Sequence, residues 1–187
     1  MQTKVISTYS VDELEGKARE NALEWLREGL DYEWYDFVFD DAKKCASILG
    51  IEMGDIYFDN SACFNGRFSY AKGWKKALKA YAHMDTDLFK IGQELQEIQK
   101  PFLYQICGTV LNNTRYHTTV CGSADTNGRF ADVPDYTINA LSQVFTDFAS
   151  WIYKNLQTEY DYLTSEGQLI ETANANGYQF DENGRVI

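Results

Sequence analysis

The stretch Asn112 to Cys121, NNTRYHTTVC, gathers side chains that can do chemistry, including one of the chain's 2 histidines. Side chains alternate along a strand, so Arg115, His117 and Thr119 fall on one face and Tyr116, Thr118 and Val120 on the other. Arg115 and His117 together suit an anion such as a carboxylate or phosphate. His117 also titrates near neutrality and suits a general base. Arg115, His117 and the adjoining Tyr116 are therefore candidate ligand-binding residues. The competing reading is a polar strand face whose groups are satisfied locally. One histidine without an identifiable partner meets no geometric test for catalysis, so no catalytic residue is assigned.

Two other sets of charges stand out. Lys72, Lys75, Lys76 and Lys79 recur at spacings of three and four with Trp74 and Tyr81 nearby. They are candidate anion-binding residues, read as a phosphate-binding stripe beside an aromatic platform or as a solvated face. The second set is acidic. Residues 1–60 hold 14 Asp and Glu against 6 Lys and Arg, residues 61–130 hold 5 against 9, and residues 131–187 hold 9 against 2. The net charge of -11 therefore gathers toward the two ends. Glu20, Glu24, Glu28, Asp36 and Asp40 are candidate partner-binding residues, because so acidic a surface docks on a basic protein and speeds its capture. The plain alternative is solubility. A pI near 4.6 speaks against a dedicated nucleic-acid binder.

Other chemistries find little support. No P-loop, G-x-G-x-x-G, G-x-S-x-G or H-E-x-x-H is present. No pair of carboxylates is singled out for hydrolysis. Cys45, Cys63, Cys107 and Cys121 form no C-x-x-C pair, so neither a zinc site nor any cofactor is expected, and the thiols read as free and mostly buried. The first residues lack the pattern of a signal peptide, and no apolar run reaches the roughly 18 residues of a membrane span. The expectation is a cytoplasmic protein that does not enter membranes.

The elements that must hold these residues follow from period and punctuation. Ser10 to Glu13 reads as a capping box opening a helix that stops at Gly29. A second helix is expected from about Tyr32 to Leu49, with Trp34, Val38, Cys45 and Ile48 on one face and Gly50 at C′. Strand pieces follow at 56–58 and 63–64. Asn65-Gly66 gives a strong turn signal, and Asp59-Asn60-Ser61 is also turn-like. A short basic helix covers KGWKKALKAYAHM. Asp85 caps another helix to about Gln99, which Pro101 ends. Two strands flank a turn at Asn112-Asn113, and 122–133 read as a loop. Pro134 or Asp135 opens the longest helix, to about Leu163, with Ile138, Leu141, Phe145, Phe148, Ile152 and Leu156 as its apolar stripe. A short helix in SEGQLIETANAN and a hairpin at Asn183-Gly184 close the chain. Hairpins bracketed by helices predict one α+β domain over 1–187, with an antiparallel sheet of about four strands packed by several helices.

Three pieces, IYFDNSACFNGRFSY (56–70), TRYHTTVC (114–121) and WIYKNLQTEYDYLTSEGQLIETANANGYQFDENGR (151–185), resemble a family of phage, prophage and plasmid proteins. Some of its members are labelled as the antitoxin of a toxin-antitoxin stability system. The glycine-rich loop usual before the phenylalanine matching Phe64 is shortened here to Asp59-Asn60-Ser61-Ala62. The resemblance transfers no catalytic residue. It implies a small accessory protein of a mobile element that binds and inhibits a host or defence protein, or neutralises a toxin, without catalysis. Mimicry of nucleic acid is one route to that end. The expected partner is thus a protein with a basic surface. The alternatives are a nucleic-acid or nucleotide binder using the basic 67–79 segment, or an enzyme with Arg115 and His117 in its site.

Overall fold

A computed structural model describes residues 7–30, 33–113, 120–127 and 133–187 of the chain. Its elements are a 3-10 turn (Val11–Glu13), α1 (Gly16–Glu28), α2 (Asp36–Leu49), β1 (Ile51–Phe58), β2 (Ala62–Phe68), α3 (Trp74–Tyr81) and α4 (Thr86–Gln99). A second 3-10 turn (Lys100–Phe102), β3 (Cys107–Asn113), β4 (Val120–Asn127), α5 (Asp135–Leu163) and α6 (Glu166–Asn176) follow. The fold is α+β, with an antiparallel sheet, several helices and one long helix toward the C-terminus, as the sequence predicts. The residues fall into two compact units, Asp36–Leu156 and a terminal unit made of Met1–Tyr35 with Gln157–Ile187. Among the described residues, no helix is long and apolar enough to cross a membrane.

The central unit holds a sheet of order β1-β2-β3-β4 together with α2, α3, α4 and most of α5. Phe64 and Phe68 on β2 are buried and meet the stripe of α5. Phe68 lies 5.0 Å from Phe145, and Phe64 lies 5.7 Å from Phe148, ring centre to ring centre. Leu141, Phe145, Phe148, Ile152 and Leu156 are all buried, as the helical spacing requires. Asp85 fastens two helices at once. One carboxylate oxygen accepts from the Leu88 amide (2.9 Å) and caps α4, while the other accepts from the Trp151 indole of α5 (2.7 Å). Past Pro101, the buried Gln99 amide stands in for a strand partner. It donates to the Ile106 carbonyl (2.8 Å) and accepts from the Ile106 amide (3.1 Å), leading the chain into β3.

The turns follow the sequence reading only in part. Asn65-Gly66 lies inside β2, and the chain reverses at the other turn signal, Asp59-Asn60-Ser61 in the shortened loop, where the Asp59 amide donates to the Ser61 carbonyl. Asn65 accepts from the Asp55 amide (2.9 Å) at an irregularity in β1. Gly66 is needed for close approach, since a Cβ there would stand 2.4 Å from the Glu52 carbonyl oxygen. Asn112 and Asn113 likewise remain in β3, paired with Cys121 and Val120. The expected loop at 122–133 is strand as far as Asn127. Such side chains favour turns only when nothing competes for their bonding, and here neighbouring strands do.

In the terminal unit, α1 and α6 pack around Val11, Leu14, Leu23, Leu26, Leu169 and Phe180. The capping box forms, with the Ser10 amide donating to the Glu13 carboxylate (2.8 Å), but it opens the 3-10 turn and not α1. Trp25 meets Phe180 and Tyr178 edge to face. The closing hairpin is present as the Phe180–Val186 bridge, and Phe180 also pairs with Tyr9, so both chain ends join one core. Residues 33–35 form a turn ahead of α2, which starts at Asp36, so Trp34 is not on that helix.

Candidate functional site

Arg115, Tyr116 and His117 lie outside the described residues. The acidic set is described. Glu20, Glu24 and Glu28 stand at four-residue intervals along α1 and are exposed, while Ala22, Leu23 and Leu26 on the other side enter the core. Among the described residues none of the three glutamates is in an ion pair, whereas Arg19 is taken by Glu166 at 2.9 Å and by the Val11 carbonyl. Asp36 and Asp40 are exposed on α2, in the central unit. Asp36 sits in the first turn of α2, where a carboxylate also favours the helix dipole.

The division into units sorts the charge more sharply than the sequence order does. The terminal unit holds 14 Asp and Glu against 5 Lys and Arg, a net of -9, while the central unit holds 14 against 12, a net of -2. The two acidic chain ends are therefore largely one acidic body.

The lysine set is only partly helical. Lys72 precedes α3, while Lys75, Lys76 and Lys79 lie on it, all exposed and outside any ion pair among the described residues. Trp74 is not an aromatic platform. It is 4% exposed, packs on Phe89 and donates its indole N–H to Gln96 at 3.1 Å. Tyr81 is the accessible ring. Lys44 Nζ lies over it at 4.7 Å, and its hydroxyl donates to Asp41 at 2.6 Å. That hydrogen bond, with burial and the Asp41 charge, pushes the phenol up to about 12. Arg67, at the start of the basic segment, is on β2 opposite Glu52 and Thr109.

Nucleophilic chemistry is not favoured at Cys45. Burial and the charges of Asp41 and Asp85 push its thiol up to about 12, which keeps it protonated at neutral pH. Among the described residues, no three His, Cys, Asp or Glu side chains come together as a group that could hold a metal ion.

One feature escaped the sequence reading. Trp34, Tyr35 and Tyr160 associate in the terminal unit, with Trp34 5.8 Å from Tyr35 and 5.6 Å from Tyr160. Tyr162 is exposed close by in sequence, and Asp161 separates the two tyrosines. The signal was the alternation of acids and tyrosines in EYDY, off the apolar stripe of α5.

Residues 34–166 match the family described as Domain of unknown function (DUF8835), and the chain belongs to that family. No curated protein and no solved structure matches the chain.

Proposed function

We propose that this DUF8835 protein works by binding, with its acidic terminal unit as the docking surface for a protein that presents a basic face. The carrying observation is the concentration of a net -9 in that unit, with Glu20, Glu24 and Glu28 exposed and outside any ion pair among the described residues. Charge this dense costs stability through self-repulsion, so a use for it is favoured over solubility alone. The resemblance to phage, prophage and plasmid proteins suggests a cytoplasmic accessory protein of a mobile element. Its partner would be a host or defence protein, or a toxin, whose basic site is occluded as a nucleic acid would occlude it.

The test is capture from the native host in two arms, one with the natural chain and one with Glu20→Lys, Glu24→Lys and Glu28→Lys combined. A basic protein held at low salt by the natural chain, released as salt rises and lost in the reversed variant, supports the reading. The screening length falls from about 10 Å at 0.1 M to about 3 Å at 1 M, so the salt response should be steep. The exposed lysines of α3 give a competing expectation. If Lys75→Glu with Lys79→Glu abolishes capture and the acidic reversals do nothing, an anionic ligand replaces the basic partner. Arg115 and His117 remain candidates for an anion site, which release of a bound nucleotide on denaturing the purified protein would favour.

A further inference from the structure

Two opposite charges face each other across the sheet without pairing. Glu52 of β1 stands opposite Arg67 of β2, and Arg67 stands opposite Thr109 of β3. Directly opposed residues share a face of the sheet, so the three form one cross-strand row. Asp125 of β4, opposite Thr109, is the next position in the register. Ile51, Phe68 and Gly108 are opposed in the same way one residue along, and all three are buried. The row therefore lies on the other face, where Glu52 and Arg67 are exposed and Thr109 is half-buried. Opposite charges in such positions ordinarily attract and pair. Among the described residues, neither Glu52 nor Arg67 is in an ion pair.

The row borders a cleft of about 400 Å³, whose lining includes Glu52, Arg67, Thr109, Ser69, Cys107 and Gly50. That volume suits a small molecule. One end of the cleft is fixed by the backbone. The Ser69 amide donates to the Gly50 carbonyl at 2.9 Å, and at Gly50, with φ +85°, a Cβ would stand 2.1 Å from the Ser69 carbonyl oxygen. Tyr70, next to Ser69, has its ring 4.4 Å from that of Tyr104. Leu103 and Tyr104 both hold left-handed backbone, at φ 54° and 60°. Two successive residues with side chains in that region are strained. Such strain persists where the surroundings over-determine it, and it clusters at ligand sites. The same segment runs through Ile106, held by Gln99, into Cys107 of the cleft.

The charges select the occupant. A simple anion on Arg67 would meet the Glu52 carboxylate beside it, and a simple cation on Glu52 would meet the guanidinium. A small ligand carrying both charges close together satisfies both. We propose that the cleft binds a free α-amino acid. Its carboxylate accepts paired N–H donors from the Arg67 guanidinium, and its ammonium donates to the Glu52 carboxylate. The hydroxyls of Ser69 and Thr109 are then placed to meet the rest of the ligand. The site belongs to the central unit and does not depend on the docking role of the acidic one.

The experiment melts the full chain in the presence of each common L-amino acid and titrates those that stabilise it by calorimetry. At least one should raise the melting temperature and bind saturably, because a ligand held only by the folded chain stabilises it. The matching deaminated acid and the matching decarboxylated amine each keep one charge. Each should bind about tenfold or more weakly than the amino acid. Glu52→Gln and Arg67→Lys should weaken the amino acid by a similar factor, the second because lysine keeps the charge but loses the fork. Both side chains are exposed, so these variants should melt near the natural chain without ligand. The proposal is overturned if no amino acid binds, or if binding survives both substitutions. It is equally overturned if the deaminated acid binds as well as the amino acid, a comparison that needs no variant.

Discussion

The central unit covers its sheet with phenylalanines from β2 and α5 and carries a net charge of only -2. The terminal unit closes two helices and the two chain ends around a much smaller core, yet carries a net of -9. Self-repulsion therefore weighs most on the unit with the smaller core. The two units thus differ in what they bury and what they expose. The central unit contributes most of the buried apolar surface. The terminal unit contributes exposed carboxylates and exposed rings on a backbone that caps and bridges hold still.

The contrast is tested most severely at Phe148, fully buried between β2 and α5. Phe148→Ala should cost about 3–5 kcal/mol, as large-to-small core changes do. Thermal unfolding indistinguishable from the natural chain would remove Phe148 from the core. The matching lesion in the terminal unit is Gly184→Ala. At φ +76° a side chain is strained, and its Cβ would stand 1.9 Å from the Ala18 carbonyl oxygen of α1. The expected loss is about 2–3 kcal/mol, from left-handed strain plus overpacking. Amide exchange should quicken in α1 and α6 while the amides of β1 and β2 keep their protection. Equal loss in both regions would show that the two units unfold as one.

Where periodicity was strong, the sequence was enough. The stripe of α5, the Asp85 cap, the α6 helix and the Asn183-Gly184 hairpin follow from spacing and from residues whose chemistry suits one place. Asn65-Gly66 misled because a strand turn and a close strand crossing both select glycine, and only the position of Glu52 on β1 distinguishes them. Trp74 misled because its ring, though Lys75 lies over it at 5.5 Å, is buried against Phe89 and bonded to Gln96 and so is closed to a ligand. The acidic body was half legible. Both charged ends were visible, but their union depends on the pairing of Tyr9 with Phe180, which no local pattern reveals.

A smaller effect probes the joint that closes the terminal unit. The Asp181 carboxylate accepts from the amides of Arg185 and Asn183, both at 2.9 Å, and those bonds hold its pKa below the ordinary 3.8. Hydrogen bonds to the charged form favour it. A depressed folded pKa means that its stabilisation is present above the unfolded value and is lost as pH falls through the folded one. The melting temperature of the natural chain should therefore drop more steeply below about pH 4 than that of Asp181→Asn. Parallel curves would leave the carboxylate without a part in holding the hairpin.

The mildest test concerns the basic side of the central unit, where Asp41 and Lys44 of α2 meet Tyr81 of α3. With its hydroxyl donating to Asp41, Tyr81 should lose its proton near pH 12 and not near the ordinary 10. Absorbance titration of phenolate in the natural chain and in Asp41→Asn should differ by one late-titrating tyrosine, which moves back toward 10 in the variant. Stability should change little, because the ring is 40% exposed and water can replace the bond. The outcome bears on the contrast between the units. If the late tyrosine is present, Asp41 is engaged and offsets part of the positive charge that Lys44 brings to the C-terminal end of α3. A basic site on that helix then has less reach than its lysines suggest. If the two titrations coincide, Asp41 is not engaged by Tyr81, the Lys44 charge over that ring is not offset, and the anion-binding reading of α3 gains at the expense of the acidic one.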